Sequence, residues 1–187
     1  MLVGFTGAQS TGKSTLLNKC KDELLNSGPW EYIDEVTRKV ARDGYTINRG
    51  GTDMTQLHIL KEHLSNHSLS NNMILDRCIV DGYVYTHWLY TKGEVGKWVD
   101  TYACNLLSFL GEFLDVIFYT CPEDIPIEDD GVRSVNIQFR NDIIGIYDDL
   151  LRGSWTLPGR DTWRHKLVKL TGSVDHRMET IKNTLEL

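Results

Sequence analysis

Long apolar runs are missing from this sequence, and with them any stretch of the ~20 apolar residues that a membrane-spanning helix needs. No charged and apolar leader stands ahead of the first strand-like run, so a secretory signal is not expected. No C-x-x-C pair occurs. Cys20, Cys78, Cys104 and Cys121 are far apart, which argues against structural zinc and against a disulfide framework, and points to reduced thiols in a cytoplasmic setting. His58, His63 and His67 read as surface or helix-face residues rather than metal ligands. A Lys/Arg cluster is also lacking. The net charge of −6 disfavours duplex DNA or RNA as the main partner, without excluding it, and leaves small phosphorylated ligands as the better fit. No repeat, low-complexity block or Pro/Gly/Ser linker divides the chain, so residues 1–187 are expected to form one domain.

What is present begins with Gly7-Ala8-Gln9-Ser10-Thr11-Gly12-Lys13-Ser14, set between the apolar run Leu2–Thr6 and the helical pattern that starts at Thr15. This is the G-x-x-x-x-G-K-[ST] spacing in a strand-to-helix context. Gly7 and Gly12 permit backbone angles that let the loop curl, so that successive N–H groups point inward and form a nest for anionic oxygens. The following helix adds its own free N–H groups and dipole. Lys13 is placed to reach β- and γ-phosphates. The Ser14 hydroxyl is placed for Mg²⁺, with Thr15 beside it. ATP and Mg²⁺ are the expected cofactors.

Strands are predicted at 2–6, 30–34, 72–76, 115–119 and 166–170. Met73-Ile74-Leu75 and Val116-Ile117-Phe118-Tyr119 are continuously apolar, as strands covered on both faces are. Helices are predicted at 13–26, 35–43, 53–69 (with Asp53 as N-cap), 80–92, 95–110, 134–151 and 174–185. This alternation predicts a three-layer α/β fold of the P-loop NTPase type, about five parallel strands with helices on both faces, whose ligands bind at the carboxyl ends of the strands.

Chemistry-bearing residues cluster at those ends. Asp34-Glu35 closes the second strand. One of the two is expected to take a proton from an attacking hydroxyl or to hold the acceptor, and both also suit a helix N-terminus. Arg38 can bind a substrate phosphate or pair with Glu35 at i, i+3 spacing. Asp76 ends the third apolar strand, the place for a carboxylate that holds Mg²⁺, and Arg77 beside it offers a fork for phosphoryl oxygens. Asp81 opens the next helix, as substrate ligand or N-cap. Tyr83, Tyr85 and Trp88 read as core. The charged stretch around 122–140 is expected to form a lid, with Arg133 closing over the γ-phosphate and Arg140 binding substrate phosphate. Gly172 and Ser173 follow the fifth strand, either wrapping the adenine or forming a turn capped by Ser173.

In this order, G-A-Q-S-T-G-K-S-T, D-E-V-T-R, D-R-C-x-x-D-G-x-V-Y-T, D-D-G-V-R and T-G-S-V-D-x-R, the chain resembles small P-loop kinase-like ATPases related to ribosylnicotinamide kinase. It is more distantly similar to thymidylate and deoxynucleoside kinases. The resemblance covers nearly the whole chain. It implies that Gly12, Lys13 and Ser14 carry ATP–Mg²⁺, that Asp34 or Glu35 and Asp76 handle acceptor and metal, and that Arg77, Arg133 and Arg140 handle phosphates. The chain departs from thymidylate kinases in the non-acidic start of its phosphate loop and in Cys78.

The expected activity is transfer of the γ-phosphoryl of ATP to a small nucleoside or nucleoside monophosphate. Two other activities fit the same loop: a kinase acting on a modified base or end of DNA, and an NTP-dependent regulatory ATPase. The latter would carry an N-K-x-D string if guanine-specific; Asn18-Lys19-Cys20-Lys21 lacks the Asp. No membrane partner is expected, and a homodimer is left open.

Overall fold

The computed structural model describes residues 1–25, 29–67, 72–122, 137–153 and 162–187. Five strands form one sheet: β1 Leu2–Thr6, β2 Glu31–Ile33, β3 Met73–Asp76, β4 Val116–Thr120 and β5 Leu167–Leu170, in the order β2-β3-β1-β4-β5. Every pairing is parallel, with Phe5 opposite both Asp76 and Phe118. The helices are α1 Lys13–Cys20, α2 Val36–Arg42, α3 Asp53–His67, α4 Ile79–Thr91, α5 Lys97–Leu110, α6 Ile137–Leu151 and α7 Val174–Leu185.

Two cores explain why the strands lack polar alternation. Val3, Phe5, Ile74 and Phe118 face α1 and α7, meeting Leu16, Leu17, Met178 and Ile181. Leu2, Met73, Leu75, Ile117 and Tyr119 face the opposite layer, with Val80, Val84, Leu107 and Tyr147. Each such side chain contributes roughly 1.5–3 kcal/mol by leaving water. Gly4 is required for the second layer to close. A Cβ there would sit 2.8 Å from the Cβ of Cys78, at the head of α4.

The strand limits follow the predicted ones to within a residue, but several helix details differ. The first helix is α-helical to Cys20 and continues as a π-helical turn, Lys21–Leu25. The sixth begins at Ile137, and its predicted residues 134–136 lie outside the described residues, as does Arg133 with most of the expected lid. Asp53 does not cap α3. Thr52 precedes the helix and its hydroxyl accepts the Thr55 N–H at 3.3 Å. The Asp53 carboxylate instead accepts the Gly96 N–H and the Trp98 indole N–H, fastening the start of α5 to the start of α3.

Candidate functional site

The loop between β1 and α1 has the shape of an anion cradle. Ser10 and Gly12 take left-handed φ values of 56° and 72°. Gly7 has φ 145°, and a Cβ on it would lie 2.3 Å from Thr120 Oγ1, so no other residue fits. Side chains from across the sheet hold the curl. Thr11 Oγ1 donates to Ala8 O at 3.0 Å and meets Thr120 Oγ1 at 2.7 Å. The Gly7 N–H donates to the Tyr147 hydroxyl at 3.2 Å, and that hydroxyl also meets Thr6 Oγ1 at 2.9 Å. No side chain caps α1 among the described residues, and the positive end of the helix faces the cradle.

Lys13 is 2% exposed, and its Nζ donates to Gly7 O at 3.5 Å. Burial, reinforced by the nearby Arg77 charge, lowers its pKa to about 8 against the opposing pull of Asp81, Asp76 and Glu35. A buried ammonium so weakly satisfied fits a polyphosphate. The sign of its titration yields a first prediction. A bound polyphosphate raises the Lys13 pKa, so ATP binding takes up close to one proton at about pH 9 and almost none at about pH 7. Calorimetric titration in buffers of different ionisation heat measures that uptake directly.

Ser14 and Asp76 offer the oxygen donors that a hard cation takes. Asp76 is buried at the end of β3, where burial raises its pKa although Lys13 opposes this, and it accepts the Tyr32 hydroxyl at 3.1 Å. Among the described residues no group of three or more His, Cys, Asp or Glu can hold a metal alone.

Beside the cradle lies a pocket bounded by α2, α3, α4 and α6. One wall is an ion cluster. Arg77 Nε donates to Glu35 Oε1 at 2.7 Å, and Nη1 donates to Asp81 Oδ1 at 2.5 Å and reaches Gly7 O at 3.4 Å. Burial works against the guanidinium charge, but Glu35 and Asp81 outweigh it and hold Arg77 protonated. Arg77 also has φ 72°, a left-handed backbone in a residue with a long side chain. Such strain persists where surrounding structure enforces it, often at functional sites. Tyr85, Trp88 and Phe139 supply the aromatic wall, and Gln56 and His63 the polar one.

The structure separates residues that sequence spacing left together. Glu35 is buried and lines the cavity. Asp34 is exposed and pairs with Lys21 at 3.4 Å. Arg38 holds the other Glu35 oxygen at 3.1 Å. Asp81 does not cap α4: Cys78 is the N-cap, and Asp81 accepts the Cys78 N–H in a capping box. Arg140 donates to Gln9 O at 3.4 Å and Pro122 O at 3.1 Å, beside the phosphate loop. Ser173 is the N-cap of α7, accepting the His176 N–H at 3.3 Å.

Other residues of the site carry no sequence motif. Gln56 and His63 are buried on the face of α3 turned to the cavity; of the two alternatives for His63 and His67, the helix face holds and the surface does not, both being under 5% exposed. Burial drives the His63 pKa down to about 3 and the His67 pKa to about 4, so both stay neutral at ordinary pH. Arg177 was legible only as the last residue of the T-G-S-V-D-x-R string. Its fully buried guanidinium donates to Gly172 O at 3.0 Å, Thr11 O at 3.1 Å and Cys121 O at 3.3 Å, tying the loop after β5 and the end of β4 to the phosphate loop. Arg177→Met leaves these three carbonyls without that donor. Urea unfolding should show a loss of about 3 kcal/mol, with a raised KM for ATP. Arg177→Lys recovers part of both.

A family model described as an AAA domain matches residues 2–177. No curated protein sequence matches the chain. Among solved structures, deoxyadenosine kinase from M. mycoides with the products dCMP and a flexible dCDP superposes with TM-score 0.68 at 14% identity, covering 100% of this chain and 98% of that one. The same enzyme with bound dATP gives TM-score 0.68 at 14% identity, with 100% of each chain covered. NadR protein in complex with NR gives TM-score 0.64 at 16% identity, covering 100% of this chain and 52% of that one. At these identities the likeness establishes the fold.

Proposed function

This chain belongs to the AAA domain family, and we propose that it is an ATP-dependent kinase that phosphorylates a hydroxyl of a nucleoside bound in the cavity beside the phosphate loop. The observation that carries this reading is Arg77. A single guanidinium lines the acceptor cavity, is gripped by Glu35 and Asp81, and touches the carbonyl of the first loop glycine. Cradle and cavity therefore share a wall.

In this reading the loop amides and Lys13 hold the β- and γ-phosphates. Ser14 and Asp76 would hold Mg²⁺, which would neutralise phosphate charge. Glu35 orients the acceptor hydroxyl and takes its proton. Arg77 supplies positive charge where the phosphoryl group crosses. Arg140, fastened to Gln9 O and Pro122 O, supports the loop from behind. The contribution of Arg133 stays an expectation drawn from the resemblance.

Charge argues for a nucleoside over a monophosphate. Among the described residues lining the cavity, two carboxylates face one guanidinium, already paired with both, and His63 is neutral. A dianionic acceptor would have to compete with Glu35 and Asp81 for Arg77, and with Glu35 for Arg38, which holds its second oxygen. A screen of ADP release with nucleosides and their monophosphates tests this. Nucleosides should turn over at least about tenfold faster, a difference of ~1.4 kcal/mol in the barrier. A preference for monophosphates would contradict it.

A further inference from the structure

Gln9 is the third residue of the phosphate loop, and its side chain is turned inward, with only 5% of the residue exposed. A hydrogen bond fixes the amide: the Tyr85 O–H donates to Gln9 Oε1 at 2.9 Å. With the carbonyl oxygen accepting, the other end of the amide is Nε2, a donor of two hydrogens. Nε2 is buried and has no partner among the described residues. A buried donor left unpaired is costly, and such groups call for an explanation.

Its position supplies one. Tyr85 lines the acceptor cavity, and its ring lies 5.3 Å from the Arg77 guanidinium. The Gln9 backbone belongs to the cradle. The unpaired donor thus stands where cradle and cavity meet, and there the acceptors that arrive on binding are ligand oxygens.

We propose that Gln9 is a catalytic residue whose Nε2–H donates to a non-bridging oxygen of the phosphoryl group in transit. This rests on the phosphotransferase reading above. In the step, the acceptor oxygen bonds to the γ-phosphorus as the bond from that phosphorus to the β–γ bridging oxygen breaks. The hydroxyl proton passes to Glu35, and the electron pair leaves with ADP. Gln9 makes no covalent bond; its N–H stabilises negative charge on the planar group between donor and acceptor, held there by Tyr85. Tyr85 is a positioning residue.

The test uses the full chain with Mg²⁺–ADP and aluminium fluoride, a mimic of the planar phosphoryl group, alongside γ-phosphoryl transfer. In wild type, aluminium fluoride should tighten ADP binding at least about tenfold. Gln9→Glu is isosteric but replaces the donor by an anion. It should bind ADP within about twofold of wild type, lose the tightening, and lower kcat more than about tenfold with the KM for ATP unchanged. Gln9→Ala should lose less, and Tyr85→Phe less again, because its amide is merely unanchored. Thermal unfolding identifies any variant that does not fold, and the remaining ones carry the comparison. Equal tightening in wild type and Gln9→Glu, unchanged kcat, or no tightening in wild type would each overturn the inference. A wild type that tightens through Gln9 yet phosphorylates no nucleoside or monophosphate would remove the acceptor reading and leave the Gln9 contact standing.

Discussion

Lys13→Met should lose phosphoryl transfer by at least about 10³-fold, roughly 4 kcal/mol of barrier, while the folded state survives intact. The expectation comes from where the ammonium sits. Lys13 is buried at the head of α1 and donates only weakly to Gly7 O, and its charge is disfavoured enough to bring its pKa to about 8. The unliganded protein therefore gains little from that charge. Methionine keeps the apolar stem packed and removes the desolvated head. Unfolding free energy at pH 7 should equal or exceed that of wild type, with the gap closing as pH rises toward 10 and the native lysine loses its proton. Chemical denaturation and steady-state kinetics on the same preparations check both halves. Retained turnover would remove Lys13 from the mechanism, and collapse of the fold would show that its role is structural.

Glu35→Gln comes second. Its kcat should fall by at least about 10²-fold, ~3 kcal/mol, with the KM for ATP unchanged, because the amide cannot take the acceptor proton. Shape is conserved, and Arg77 keeps Asp81, so the cluster is not left as an isolated buried charge. The control is the neighbouring acid. Asp34→Asn removes an exposed pairing with Lys21, worth under about 1 kcal/mol, and should leave kcat alone. Kinetics of the two variants side by side decide which carboxylate serves the cavity. The reverse pattern would reassign the base to Asp34.

The difference between these two acids marks how far the sequence could be read. The strands were legible because parallel strands covered on both faces need unbroken apolar runs, and Met73-Ile74-Leu75 and Val116–Tyr119 are such runs. The phosphate loop was legible because its glycines are conformationally required: Gly7 has Thr120 pressed against it, and Gly12 takes a left-handed angle. Asp34 and Glu35 are consecutive as the chain turns from β2 into α2, and small rotations decide which of them faces inward. Spacing alone does not reveal them. Gln56 and His63 were hidden for a related reason. They share α3 with Leu57, Leu60 and Leu64, and an apolar stripe says which face is covered, not that the covered face borders a cavity. Leu60 is buried in the core, while Gln56 and His63 line the cavity. Thr52 displaced Asp53 as the cap because Asp53 was recruited by a contact distant in sequence, the Gly96 N–H. Arg77 shows the same limit: its pairing with Asp81 follows helical spacing, whereas its pairing with Glu35 depends on β2 lying next to β3.

The most direct measurement is the fate of a labelled γ-phosphate when the protein is incubated with ATP, Mg²⁺ and each common nucleoside in turn. The label should appear on at least one nucleoside as its monophosphate, with one ADP formed per product, and neither should form with Lys13→Met. Label recovered solely as inorganic phosphate, at a rate indifferent to every nucleoside, would contradict a shared transfer site between the cradle and the cavity.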